Sequence, residues 1–154
     1  MTSEFPVIAI GASAGALDAV RLITEALPRE CAAAIAVVFH TGPHPSHLPE
    51  ILSWRGKLPV VFGEEGAALE PGRIYVAPPD HHMLLEAPGR IRVVRGSPVH
   101  NTRPAVDPLF ASAAVTFGPK PRSRRCQLKH SRTTVRKSFR SIAWRGAWRN
   151  SARV

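Results

Sequence analysis

Two short apolar runs separated by a helical stretch constrain this chain more than any other feature. Residues 7–10 (Val, Ile, Ala, Ile) and 34–39 (Ala, Ile, Ala, Val, Val, Phe) are continuously apolar rather than alternating. That pattern marks strands buried on both faces, as parallel strands are. Between them Ala16, Leu17, Val20, Ile23, Thr24 and Leu27 recur at helical spacing, and Pro28 closes the segment. A second helix is predicted over 48–55, with Ser46 as its cap and Gly56 after it, and a third apolar run occupies 59–62. Strand, helix, strand, helix, strand predicts a parallel sheet with crossover helices. The expected fold class is α/β: a doubly wound, mostly parallel, Rossmann-like three-layer sheet.

A hairpin excursion interrupts this pattern. Residues 73–77 and 82–86 flank the turn-like Pro78-Pro79-Asp80, and 91–94 follow Pro88-Gly89. These runs read as antiparallel hairpins. Residues 107–116 read as a helix, with Asp107 as cap and Pro108 at its first position.

Charge divides the chain near Pro119. Residues 1–118 hold 9 Lys+Arg and 11 Asp+Glu, whereas residues 119–154 hold 12 Lys+Arg and no acid. Residues 1–118 are expected to form one partial α/β domain. Residues 119–154 are expected to be a basic tail, non-native or disordered, because its first half has almost no apolar side chain to bury. The sheet would then be incomplete at its C-terminal side. In one reading the tail is a frame-shifted remnant; in the other it is a genuine extension that binds nucleic acid or anionic membrane. Arginines near Trp144 and Trp148 could then stack on bases. The abrupt loss of acids and of strand pattern favours the frameshift, so no nucleic acid is expected as partner. Ile142, Trp144 and Trp148 give a weak helical stripe.

The longest apolar run, residues 31–39, is too short to span a bilayer, and the N-terminus lacks signal-peptide features. A cytoplasmic protein without membrane insertion is expected. Two cysteines provide neither a disulfide framework nor a zinc pattern, and Cys31 is expected to be a buried small hydrophobe.

Gly11-Ala-Ser-Ala-Gly15 matches G-x-S-x-G directly after a strand and before a helix. That context suits an exposed nucleophilic serine, with the helix N–H groups behind it. Ala14 N–H is then the natural oxyanion donor. The pentapeptide alone also fits a phosphate-binding turn or a plain tight turn, although it lacks the spacing of a dinucleotide fingerprint. His40 directly follows the second run. Functional groups of open parallel sheets gather beyond the C-terminal strand ends, so Ser13 and His40 would meet if their strands are neighbours. Serine needs such a base, and histidine titrates in the useful range. His44 and His47 form H-x-x-H in a Pro-rich loop, without a convincing third ligand, so no metal is expected. Of His81 and His82, at least one is expected to be solvated.

Four ordered motifs over about residues 6–118 together resemble the catalytic domain of chemotaxis protein-glutamate methylesterases (CheB-type). They are Ile8-Ala-Ile-Gly-Ala-Ser-Ala-Gly15, Val37-Val-Phe-His40, Tyr75-Val-Ala-Pro-Pro-Asp-His-His-Met83 and Arg103-Pro-Ala-Val-Asp-Pro-Leu-Phe110. The resemblance implies hydrolysis of glutamate γ-methyl esters on methyl-accepting chemotaxis receptors, in some members with glutamine deamidation, and no cofactor. It implies Ser13 as nucleophile, His40 as general base and the Ala14 backbone N–H in the oxyanion region, where the family often has threonine. The loop over 41–48 resembles members that lack an attached receiver domain, so a receiver would be a separate chain. The third triad acid of the family, an aspartate after a later strand, has no counterpart: no carboxylate follows Asp107. Impaired catalysis is therefore expected. The competing readings are a catalytically dead receptor-docking module, nucleic-acid binding through the tail and, more distantly, a nucleotide-binding fold.

Overall fold

A computed structural model describes residues 5–118 and 142–143. Val7–Ser13 forms β1, followed by a 3-10 turn over Ala14–Ala16 and helix α1 over Leu17–Ala26. Ala34–His40 forms β2, Leu48–Ser53 α2, Val60–Phe62 β3 and Ile74–Val76 β4. His82–Glu86 and Arg90–Val94 form β5 and β6, Val106–Phe117 forms α3, and Ile142–Ala143 forms β7.

The main sheet runs β3-β4-β2-β1-β7, with β7 antiparallel to β1 and the other neighbours parallel. The expected doubly wound α/β architecture is present. One side of β1 and β2, through Ile10, Ala12, Ile35, Val37 and Phe39, packs with Val20 of α1 and Leu48 and Leu52 of α2. The opposite side, through Val7, Ala9, Ala34, Ala36 and Val38, packs with Leu109 and Phe117 of α3 and with Met83, Leu85 and Ile91. Continuous burial of β2 on both faces explains why its sequence shows no alternation.

Several local expectations need correction. Residues 73–77 do not form a hairpin with 82–86. Ile74–Val76 instead lies between β2 and β3, parallel to both. All three of its residues are buried, so a central position protects more apolar surface than a hairpin arm would. Only β5 and β6 form the antiparallel hairpin. The cap of α3 is Ala105 rather than Asp107, and Pro108 is the third helical residue. Ile142 is in a strand rather than a helical stripe. Residues 119–141, 144–154 and the nucleic-acid reading that rests on them lie outside the described residues. Cys31 is partly rather than fully buried.

Helix α3 also closes the outer edge of the hairpin. Ser112 Oγ accepts the Leu85 N–H at 3.0 Å, and Thr116 Oγ1 donates to the Leu85 carbonyl at 2.8 Å. A buried strand edge without such partners would carry unsatisfied polar groups. No described helix is long and apolar enough to cross a membrane.

Candidate active site

Parallel pairing in register sets the core of the site. Val7 pairs with Ala34 and the ladder continues one by one to Ser13 opposite His40. Paired residues on neighbouring strands lie about 4.8 Å apart. Both residues are exposed at the C-terminal ends of otherwise buried strands. By strand alternation, Ser13 and His40 continue the face that carries Ala9, Ala36 and Val38, the side covered by α3.

Local backbone leaves both side chains uncommitted. Ser13 has extended geometry, φ −90° and ψ 166°, and makes no capping hydrogen bond although it precedes the 3-10 turn. Its backbone is therefore unstrained. Among the described residues neither Ser13 Oγ nor the His40 ring makes a hydrogen bond. Ala14 opens the turn, where the first N–H groups have no intrahelical acceptor. After His40 the chain turns at once: Thr41 N–H donates to the Phe39 carbonyl at 2.9 Å, and Gly42 takes φ 73°. That turn exposes the imidazole rather than burying it under a crossover.

Of the two glycines in the serine motif, only Gly11 answers a steric demand. A Cβ there would meet Val106 Cγ1 at 2.3 Å and Cγ2 at 2.7 Å, whereas nothing lies within 4 Å of one on Gly15. The first turn of α3 thus rests on β1 two residues before Ser13.

A cavity of about 300 Å³ opens beside His40, walled by Gly42, Asp80, Arg95, Asn101, Thr102 and Arg103. Asp80, with φ 58°, ends the turn after β4. Its Oδ1 accepts from Arg103 Nε at 2.7 Å and faces Nη2 at 2.5 Å. Its Oδ2 accepts from Arg95 Nε at 3.0 Å and faces Nη2 at 3.0 Å. Arg103 Nη1 also donates to the Gly96 carbonyl at 2.9 Å. The hydrogen bond from Arg103 is the main reason the Asp80 carboxyl sits below the usual carboxylate range, with the positive charges of Arg103 and Arg95 adding to it. Val99 and Thr102 exchange both backbone hydrogen bonds at 3.0 Å around His100 and Asn101, whose φ values are 49° and 60°. Two left-handed central residues make a tight hairpin turn, and it carries Asn101 and Thr102 to the cavity wall.

His82 is buried at 3% exposure, while His81 is partly exposed and faces the Pro79 carbonyl at 2.9 Å. His82 Nδ1 accepts the Ala105 N–H at 3.2 Å, so Nε2 carries the proton and donates to the Ser97 carbonyl at 3.0 Å. His82 is thus a structural bridge into the cap of α3. His44 and His47 are both exposed. Among the described residues no group of three or more His, Cys, Asp or Glu could hold a metal ion.

The sequence reading paired Ser13 with His40 but overlooked the Asp80–Arg95–Arg103 cluster. Asp80 and Arg103 lay in quoted motifs, where they read as turn and helix-start residues. Nothing in the sequence linked Arg95 to them.

Residues 8–121 match the family model described as CheB methylesterase. The chain belongs to the CheB methylesterase family. Among its relatives, a protein-glutamate methylesterase/protein-glutamine glutaminase of Myxococcus xanthus is 36% identical over 114 residues, covering 73% of this chain and 32% of the relative. One of Hahella chejuensis is 36% identical over 115 residues, covering 73% and 32%. This CheB-family chain therefore spans about a third of the length of these curated relatives. The CheB methylesterase catalytic domain of Thermotoga maritima has a similar fold, with a TM-score of 0.71 and 30% identity, over 75% of this chain and 63% of that one.

Proposed function

We propose that this chain carries a protein-glutamate methylesterase site, acting on glutamate γ-methyl esters of chemotaxis receptors and releasing methanol. The single observation behind this reading is the register pairing of Ser13 with His40 at two adjacent strand ends. Ser13 Oγ attacks the ester carbonyl as the His40 imidazole takes its proton. The Ala14 N–H, at a helix start, faces the developing oxyanion. Collapse expels methanol, which takes the proton back from His40. Water then adds to the acyl-serine as His40 accepts its proton. Collapse breaks the bond between the acyl carbon and Ser13 Oγ, His40 returns the proton to Oγ, and the glutamate side chain departs as the free acid, ionising in solvent.

The acid that orients the base is the weak point. Among the described residues no carboxylate hydrogen-bonds His40, and both oxygens of nearby Asp80 are occupied by arginines. Losing the orienting acid of a serine triad costs on the order of 10⁴ in turnover, so slow methanol release is expected. The same observation favours a second reading, a docking module that binds receptor without turnover. Methanol release from methylated receptor, measured alongside receptor pull-down, separates the two. Release that disappears in Ser13→Ala supports the esterase; pull-down with no release above background supports the docking module. Release that survives Ser13→Ala would remove Ser13 from the nucleophile role.

A further inference from the structure

The cavity beside His40 contains one carboxylate and two guanidinium groups, so it is positively charged before any protonation of histidine. The two arginines differ in how fully they are used. Arg103, at 21% side-chain exposure, is bound through Nε, Nη1 and Nη2 to Asp80 and Gly96. Arg95, at 67% exposure, uses Nε and Nη2 on Asp80, and its Nη1 has no partner among the described residues. Asp80 therefore holds the Arg95 guanidinium in place while leaving one of its nitrogens open. An arginine held in this way loses less side-chain freedom on binding an anion than a free one would. Asn101 and Thr102 add polar groups to the same wall.

We propose that Arg95 is a specificity-determining residue that receives the carboxylate of an acidic side chain neighbouring the scissile ester in a peptide substrate, with Asp80 and Arg103 as positioning residues. This rests on the esterase reading for the identity of the scissile group, but the preference for acid is a property of binding. It can be read without turnover.

Two synthetic peptides serve as probes. Each carries one glutamate γ-methyl ester; the two residues on either side are glutamate in one peptide and glutamine in the other. Their affinities are compared on the full chain carrying Ser13→Ala, which stops hydrolysis. Arg95 should contribute about five- to tenfold to the tighter binding of the acidic peptide, the range for one partly exposed charge-assisted contact. The 12 basic residues after 118 attract acidic peptides equally in every variant. The readout is therefore the change in that affinity ratio on adding Arg95→Gln, which should bring it down by the same five- to tenfold, while Arg95→Lys should restore part of it. A ratio unchanged by Arg95→Gln overturns the proposal. So does loss of the ratio in both Arg95 variants together with a lowered melting temperature, which would mark Arg95 as a structural clamp. If the ratio behaves as stated but the intact chain releases no methanol, the esterase reading fails and the acidic subsite stands.

Discussion

The side chain of Val106 fills the space that a Cβ on Gly11 would need, 2.3 Å from its Cγ1. This contact joins the first turn of α3 to the strand that ends in Ser13, so the helix and the candidate nucleophile are positioned against each other. Gly11→Ala should destabilise the chain by about 1–3 kcal/mol, the usual cost of overpacking. Val106→Ala in the same chain should recover part of that loss. Urea unfolding of the single and double variants checks this, and equal stability of Gly11→Ala and the parent would contradict the close approach.

Ser13 and His40 should be separable from stability. Neither side chain hydrogen-bonds among the described residues, and both are exposed. Ser13→Ala and His40→Gln should each leave the unfolding free energy within about 0.5 kcal/mol of the parent. Each should also lower methanol release from methylated receptor to background. A stable variant with unchanged release would exclude that residue from the chemistry.

His82→Leu should be costly although it puts an apolar side chain at a buried position. It would leave the Ala105 N–H and the Ser97 carbonyl without their ring partners. Ala105 is buried, and orphaning its N–H costs about 1–3 kcal/mol, whereas Ser97 is exposed and its carbonyl can turn to water. Hydrogen exchange at Ala105 should speed up along with a lower melting temperature. Unchanged protection there would show that the imidazole is not the acceptor.

The arginine clamp on Asp80 predicts a pH-dependent contribution to stability. Its carboxyl is held below its ordinary value of 3.8, chiefly by the Arg103 hydrogen bond. A carboxyl lowered by folding adds stability that is fully present above the unfolded-state value and is lost as pH falls through the folded-state value. Asp80→Asn should therefore be less stable than the parent at pH 7, and the gap should close only below about pH 3.8. Urea midpoints measured from pH 7 down to pH 2 test this. A gap that stayed constant through the acid range would remove the ion cluster as its cause.

The strand–helix–strand unit from Val7 to His40 was legible because burial pattern is a local property. A run that is apolar on every residue must be covered on both faces, and the helical spacing between two such runs leaves few ways to connect them. The same reasoning placed Ser13 and His40 at strand ends. Four motifs in order were enough to show the family resemblance.

Elsewhere local pattern was insufficient. Residues 74–76 are apolar whether they form a hairpin arm or a central parallel strand. Tertiary pairing with β2 and β3 decided between the two, by burying all three side chains. The burial of His82 depends on a carbonyl 15 residues away and an N–H 23 residues away. The charge cluster joins Asp80 to Arg95 and Arg103, which lie 15 and 23 residues further along the chain. The sequence by itself determined which segments must be covered and which residue types end them. Only the tertiary structure decided which segment covers which, because strand partners and ion pairs are chosen by proximity in space, and single-chain periodicity carries no information about that.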